Sequence, residues 1–154
     1  MSSQMNPYKA YSRASHTVAK TRQVVMLYDG AIRFLQQAKV AMETKDINER
    51  YTKLVKADEI IVGLQSCLDF DSGGSTAQVL FDFYSATEMR IMNLHRSNDA
   101  LECEAIIGDL KRMRDVWYHI DQGVKDASLA EGESAHEKAM DAAAVEAASL
   151  TVSA

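Results

Sequence analysis

Glu133 and His136 are the residues whose types and spacing best suit metal chemistry. A glutamate and a histidine three positions apart share one helix face, and two such pairs with two further glutamates build the di-iron centre of some helical bundles. The sequence supplies a single pair. His136 also starts the segment HEKAM, in which Met140 stands where a zinc-protease helix needs its second histidine. We therefore expect no metal site and no cofactor.

A calcium loop is the second candidate, because Asp69 and Asp71 have the spacing of two ligands in a calcium-binding loop. The position that must supply a bidentate glutamate is occupied by Leu80, an apolar residue. The segment DFDSGGS is therefore predicted to be a structural loop.

Nucleophilic catalysis would need a thiol or hydroxyl beside an oriented base. Cys67 and Cys103 both fall on apolar helical patterns and are expected to be reduced and buried. The sequence identifies no orienting partner for His16, His95 or His119, and it contains no glycine-rich phosphate loop. An enzyme is therefore the weakest of the functional classes.

The composition is that of a soluble globular protein, with 154 residues, 47% hydrophobic and 25% charged, and a net charge of -5. An acidic chain suits neither nucleic acid nor an anionic membrane, and the basic cluster Lys111, Arg112 and Arg114 is expected to be a solvated helix face. No apolar run approaches the ~20 residues that cross a bilayer, so no membrane insertion is predicted. Because the first residues lack a signal-like apolar stretch, a cytoplasmic location is expected.

Four segments carry apolar residues at alternating spacings of three and four, which is typical of helices with one buried face. The four stripes are Val24, Tyr28, Ala31, Leu35, Ala38 and Met42; Ile47, Tyr51, Leu54, Ala57, Ile61, Leu64 and Leu68; Ala77, Leu80, Tyr84, Thr87, Ile91 and Leu94; and Cys103, Ile106, Leu110, Met113, Trp117, Ile120 and Val124. Each stripe can be buried against the others, so the four helices are expected to share one core.

Three helix caps support this assignment, since a short polar residue followed three positions later by Glu or Gln satisfies free amide groups. The pairs are Asp46 with Glu49, Ser75 with Gln78, and Asp99 with Glu102. Short links between the stripes favour antiparallel neighbours. The prediction is an all-α, antiparallel up-down-up-down four-helix bundle over residues 21–124, with an N-terminal arm over residues 1–20 and a flexible or weakly helical Ala-rich tail over residues 125–154.

Gly30 interrupts the first stripe within the segment MLYDGAIRFL. A glycine inside a helix costs about 1 kcal/mol relative to alanine, so close approach by another group is expected there. That group is either a neighbouring helix or a bound partner segment. The helices also carry more apolar residues than one seam needs, among them Val25, Ile32 and Phe81. These flanks either complete the core or a dimer seam, or they form an outward groove for a client chain.

The segments NPYKAY, MLYDGAIRFL, KADEIIVGLQSCLDF, GG, SND and MRDVW resemble, in order and spacing, the FliS-type flagellar export chaperones of bacteria. The resemblance covers about residues 6–120 and implies an antiparallel four-helix bundle without catalytic activity. It further implies a cytosolic chaperone that binds the disordered C-terminal segment of flagellin, prevents premature polymerisation and delivers flagellin to the type III export gate.

By position, the resemblance assigns Tyr8 and Tyr11 to an arm that covers or borders the client groove. The resemblance and the surplus apolar flanks together predict a partner-binding site. Its residues are Tyr8, Tyr11, Val25, Leu27, Tyr28, Gly30, Ala31, Ile32, Phe34, Phe81 and Tyr84. Structural roles in turns, caps and packing are predicted for Asp46, Gly73, Gly74, Asp99 and Trp117.

The sequence departs from the family pattern in two places. The Ser-Pro pair that commonly opens the first helix is replaced by VAKTRQVV, and the chain continues well past the end of many relatives. Three other functions stay open: a homo-oligomeric bundle adaptor that forms a homodimer without client, a relative that handles or regulates another flagellar substrate, and a bundle enzyme.

Overall fold

The chain folds into α-helices in the computed structural model, which describes the backbone of residues 7–151 and the side chains of residues 20–127 and 129–131. The helices are α1 (Pro7–Glu43), α2 (Ile47–Ser66), α3 (Phe70–Ser97) and α4 (Ala100–Thr151). They pack as a bundle, and no strand occurs in residues 7–151. The all-α prediction is therefore confirmed.

The helices divide into two compact units. One unit is Gln23–Trp117, and the other combines the start of α1, up to Arg22, with α4 from Tyr118 onward. Both α1 and α4 continue through the predicted boundaries at residues 20 and 124. The division into arm, bundle and tail therefore stays a prediction.

The four predicted stripes supply most of the core of the Gln23–Trp117 unit. Its most enclosed large side chains are Tyr28, Leu35, Leu54, Ile61, Tyr84, Ile91, Leu94, Cys103, Ile106, Ile107 and Leu110, of which Ile107 was in no predicted stripe. Val24, Leu68, Leu80, Met113 and Trp117 pack on this core while half-buried. Three stripe members are instead exposed and were wrongly predicted to be buried, Ile47 and Tyr51 at the start of α2 and Ile120 in the α4 part of the second unit.

Two of the three predicted caps are present. The Asp46 carboxylate accepts a hydrogen bond from the Glu49 backbone N–H at 3.0 Å. The Asp99 carboxylate accepts one from the Glu102 N–H at 3.0 Å, so both residues have the predicted structural role at a helix N-terminus. The third cap is displaced, because α3 begins before Ser75 and uses Asp69 as its N-cap.

Side-chain contacts between the consecutive helices α2 and α3 show their relative direction. At one end of the pair, the Arg50 guanidinium donates to the Asn98 side chain at 2.6 Å. At the other end, the Gln65 amide donates to the Ser85 hydroxyl at 2.7 Å. Because later residues of α2 meet earlier residues of α3, these two helices run antiparallel.

Helices α1 and α4 show the same reverse order. Arg114 Nε pairs with Asp29 Oδ1 at 2.9 Å. Further along α1 and earlier on α4, the Cys103 thiol donates to the Leu35 carbonyl at 3.4 Å. The thiol is buried, and its burial raises the pKa of Cys103 to about 11.

Arg90 joins α3 to α4 through two carboxylates. Its Nε lies 2.6 Å from Glu102 Oε1, and its Nη1 lies 2.6 Å from Asp109 Oδ2. The hydrogen bond from Arg90 lowers the pKa of Asp109. One planar guanidinium therefore contacts two separate points on the facing helix.

The second unit contains a buried carboxylate that links its two helical segments. Thr21 Oγ1 donates to Asp121 Oδ1 at 2.7 Å, and Lys125 Nζ lies 3.1 Å from Asp121 Oδ2. Asp121 is almost fully enclosed, and these polar neighbours, Thr21 first, lower its pKa. Across the described residues of both units, no helix is long and apolar enough to span a membrane.

Candidate partner-binding site

An open apolar groove lies between α1 and α2. It has a volume of about 440 Å³ and is called here the α1–α2 groove. Its lining residues are Gln23, Met26, Leu27, Gly30, Arg33, Phe34 and Ile60. The α1 members recur at spacings of three and four, so they form one helix face beside the core stripe. Leu27 is 40% exposed and Met26 65% exposed, which leaves apolar surface accessible along the groove.

Gly30 sets the depth of the α1–α2 groove. A Cβ built on Gly30 would lie 3.2 Å from the Ile60 Cδ1 atom, so the α2 side chain already reaches toward the α1 backbone. The glycine therefore serves close packing of a neighbouring helix, which was one of the two explanations left open by the sequence. Because Gly30 also lines the groove, the absence of a side chain there leaves space on the outer surface as well.

Three cations surround the Phe34 ring at the edge of the groove. The Arg33 Cζ atom lies 5.6 Å from the ring centroid, Lys53 Nζ 5.7 Å and Lys56 Nζ 5.6 Å. Each distance is within the range of a cation–π interaction. Lys53 also contacts Glu49 at 3.4 Å. The apolar groove thus has a basic rim in a protein whose net charge is -5.

Tyr28 and Tyr84 form a hydrogen-bonded pair inside the core rather than on the groove. Their hydroxyl oxygens are 2.8 Å apart, and both side chains are buried. Burial raises the pKa of each phenol, since the charged form loses its hydration. The interaction with Trp117 has the opposite effect on the Tyr28 pKa. The two hydroxyls form a polar link within the packed core.

A second cleft lies where α2 turns into α3. It has a volume of about 280 Å³, and it is called here the corner cleft. Its lining residues are Val24, Leu64, Cys67, Leu68, Asp69, Gly73, Thr76, Ala77, Leu80, Tyr84 and Trp117. Phe81 lies beside this corner, 38% exposed, with its ring 5.9 Å from that of Phe70. The corner cleft has a mostly apolar lining, and none of the described residues that line it is basic.

The corner is shaped by Asp69 and two glycines. The Asp69 carboxylate accepts hydrogen bonds from the Asp71 and Ser72 backbone N–H groups, so the expected loop is the first turn of α3. Gly74 then interrupts α3 with φ +50° and ψ -126°, a conformation that L side chains rarely adopt. A Cβ on Gly73 would lie 2.9 Å from the Ala77 Cβ, which explains why a larger residue does not fit there.

The described residues offer no arrangement for metal chemistry, because nowhere among them do three His, Cys, Asp or Glu side chains come close enough to share an ion. Glu133, His136 and His16 lie outside the residues whose side chains are described. His95 stacks on Tyr51 with ring centroids 5.3 Å apart. Cys67 is exposed, so the prediction that it is buried was wrong: it caps the C-terminus of α2, where the stripe leaves the helix.

Comparison with protein families shows to which family the chain belongs. A family model described as "Flagellar protein FliS" matches residues 4–124. The chain belongs to the FliS family. The match spans the region in which the sequence motifs resemble this family, and the last part of α4 lies beyond it.

Curated FliS relatives cover most of the chain. A flagellar secretion chaperone FliS of Vibrio cholerae is 30% identical over 85% of this chain and 98% of its own length. One of Salmonella typhimurium is 30% identical over 73% of this chain and 87% of its own length. One of Campylobacter jejuni is 28% identical over 73% and 89%, respectively. FliS proteins are chaperones and not enzymes, as the sequence indicated.

The structure of this FliS member separates the described site residues into three groups. Leu27, Gly30 and Phe34 come together on the α1–α2 groove. Phe81 lies at the corner near α3, and the buried Tyr84 lines the corner cleft. The remaining described members are in the core: Val25, Tyr28, Ala31 and Ile32. Tyr8 and Tyr11 lie outside the residues whose side chains are described, so their covering role stays a prediction.

Four groove residues of this FliS member were missed by sequence reasoning. They are Gln23, Met26, Arg33 and Ile60, together with the rim lysines Lys53 and Lys56. A signal existed for the α1 residues, since they follow the same three-and-four spacing as Leu27 and Phe34. Sequence reasoning selected the site from apolar flanks and family motifs and made no prediction for Arg33, Lys53 or Lys56.

Proposed function

We propose that this chain is a cytoplasmic chaperone that binds the disordered C-terminal segment of flagellin, prevents its premature polymerisation and delivers it to the flagellar export gate. The observation that carries the proposal is the open apolar α1–α2 groove on a FliS family member. The names of the relatives, which describe flagellar secretion chaperones, support the same function. We further propose that client contact is concentrated on Leu27, Gly30 and Phe34.

The groove suits a chain that is disordered before it binds. A helical or extended segment can place apolar anchors at the spacing of the α1 face, and the groove then removes those anchors from water. Ordering such a segment costs about 2–5 kcal/mol of the gross interaction energy, which limits affinity and permits release at the export gate. The buried Tyr28 and Tyr84 support the groove from within and do not touch the client.

Leu27→Glu tests the proposal, because it places a charge on the apolar groove while the side chain remains accessible. Losing the burial of one leucine weakens binding by about 1.5–3 kcal/mol, so flagellin affinity should fall at least tenfold. Leu101→Glu is the matched control, since Leu101 is 83% exposed at the start of α4. Calorimetric titration with flagellin that carries or lacks its C-terminal segment measures the effect.

Equal affinity for both forms of flagellin would contradict the proposed client segment. An equal loss of flagellin affinity in Leu27→Glu and Leu101→Glu would contradict the α1–α2 groove as the binding surface. Delivery needs a cellular measurement, in which cells that express only the Leu27→Glu chain should export less flagellin than cells with the Leu101→Glu chain.

The exposed groove also favours a client-free homodimer, in which Met26 and Leu27 of two copies cover each other. Flagellin would then separate the two copies by competing for the same surface. Measuring mass in solution with and without flagellin distinguishes this from a permanent bundle adaptor, whose dimer would not change when flagellin is added.

A further inference from the structure

The cations around Phe34 set the α1–α2 groove apart from the rest of the apolar surface. Arg33, Lys53 and Lys56 approach one ring from two helices, all within 5.7 Å of its centroid. They do so on an acidic protein, so the positive charge is local. A groove that bound purely apolar segments would gain nothing from three charges at its edge.

Most of this positive charge is not neutralised by neighbouring side chains. Lys53 contacts Glu49 at 3.4 Å, but within the described residues no carboxylate forms an ion pair with Arg33 or Lys56. Arg33 and Lys56 are both exposed, so a segment in the groove can reach their charged groups. Like charges held near one another repel, and an anion placed between them would relieve that repulsion.

We propose that the α1–α2 groove recognises a client segment that carries an Asp or Glu within one helical turn of an apolar anchor. The anchor enters the groove above Gly30, and the carboxylate faces Arg33 and Lys56. The identity of the client as flagellin rests on the proposed function, whereas the chemistry of the segment follows from the groove and its rim.

An acidic peptide fits this surface better than a phosphate or a polyanion. Most of the groove lining is apolar, with Leu27, Ile60 and Phe34 along it, and such a lining requires an apolar partner. Arginine and lysine on the rim supply charge at the edge of this apolar surface rather than a closed cradle. The overall net charge of -5 disfavours long polyanions such as nucleic acid.

Two fluorescent probes test the chemistry without flagellin. Anilinonaphthalene sulfonate has an apolar body with one anionic group, and phenylnaphthylamine has the same body without it. At low salt, the double variant Arg33→Gln with Lys56→Gln should bind the sulfonate probe about fivefold more weakly for each cation removed, since one exposed ion pair contributes up to about 1 kcal/mol of binding free energy. Binding of the neutral probe should not change. Lys45→Gln with Lys111→Gln is the control, because it removes the same net charge from elsewhere on the protein. This control variant should bind both probes with unchanged affinity.

The result that overturns the proposal is equal sulfonate affinity in the wild type and the Arg33→Gln, Lys56→Gln variant. Salt gives a second readout, because exposed charge interactions are screened beyond about 10 Å at 0.1 M. Salt should weaken sulfonate binding to the wild type and have less effect on the variant. Thermal unfolding by circular dichroism verifies that each variant is folded.

Flagellin then separates this inference from the proposed function. If flagellin binds the wild type and the double variant weakens it less than twofold, the acidic-segment proposal is wrong while the chaperone function stands. If the probes behave as expected but flagellin does not bind the wild type, the proposed client is wrong and the groove requires another acidic, apolar segment. Replacing the acidic residues of the flagellin C-terminal segment by amides should reproduce the effect of the double variant.

Discussion

Removing the hydroxyl of Tyr28 tests whether the tyrosine pair supports the groove or contacts the client. In Tyr28→Phe, the Tyr84 hydroxyl loses the partner that lies 2.8 Å away and remains in a buried position. An unsatisfied buried hydroxyl costs about 1–3 kcal/mol. Tyr84→Phe leaves the Tyr28 hydroxyl without that partner in the same way, so each single variant should lower the free energy of unfolding by about this amount.

The double variant provides the sharper comparison. When both hydroxyls are removed, no unpaired hydroxyl remains. The fall in the free energy of unfolding should therefore be about 1.5 kcal/mol smaller than the sum of the falls in the two single variants. Urea unfolding of the wild type, both single variants and the double variant measures this coupling. Tyr51→Phe is the control, because Tyr51 is exposed and its hydroxyl removal should change stability by less than about 0.5 kcal/mol.

Two results would refute this reasoning. Strictly additive losses would mean that the hydroxyls do not act as a pair. A large fall in flagellin affinity in the double variant, measured well below its unfolding temperature, would mean that these tyrosines contact the client. We expect flagellin affinity to change less than twofold, since the groove residues themselves are untouched.

Alkaline pH provides an independent measurement of the same pair. Burial raises the pKa of Tyr28 and Tyr84 in the folded state, so above about pH 10 the unfolded chain releases phenolic protons that the folded chain retains. Stability due to these groups is fully present below that pH and falls as pH rises, by up to about 1.4 kcal/mol per group and pH unit. The double Phe variant should lose less stability between neutral pH and about pH 11 than the wild type.

Three further predictions address other positions. Gly30→Ala should raise the free energy of unfolding, measured with denaturant, by less than the about 1 kcal/mol that helix propensity alone predicts, because Ile60 Cδ1 must shift to admit the new methyl group. Gly30→Phe should instead fill the groove and weaken flagellin binding in a calorimetric titration. A thiol reagent at about pH 8 should modify the exposed Cys67 quickly and Cys103 only on unfolding, since Cys103 is buried and its pKa is raised. Equal modification rates at the two thiols would contradict the burial of Cys103. Asp121→Asn should lower stability at neutral pH by about 1.5–3 kcal/mol, and the difference from wild type should shrink as acid protonates Asp121, whose folded pKa is lowered.

Helical periodicity was sufficient to predict the core. Residues such as Leu35, Ile61, Ile91 and Leu110 were assigned from spacing alone and are buried, because a helix in a bundle must turn its apolar face toward its neighbours. Periodicity gives the phase of each helix but not how completely its neighbours cover that face. Ile47, on the same pattern at the start of α2, is exposed and was predicted wrongly.

The groove was less predictable than the core. An apolar flank has the same sequence signal whether a neighbouring helix covers it or not, so Ile32 and Leu27 could not be told apart before one was found buried and the other partly open. The start of α3 was misplaced for a local reason. Asp69 and Ser75 are both competent caps. The Asp69 carboxylate accepts from the Asp71 and Ser72 N–H groups and starts the helix at the earlier position, and the non-helical Gly74 then kinks it just before Ser75.

The bridge from Arg90 to two carboxylates fixes the axial alignment of α3 and α4. Glu102 and Asp109 are seven residues, or about 10.5 Å, apart along α4, and one guanidinium contacts both carboxylates at once. A slide of one helical turn, about 5.4 Å, would bring the guanidinium nearer to one carboxylate and break its contact with the other. The bridge therefore opposes translation of α3 along α4.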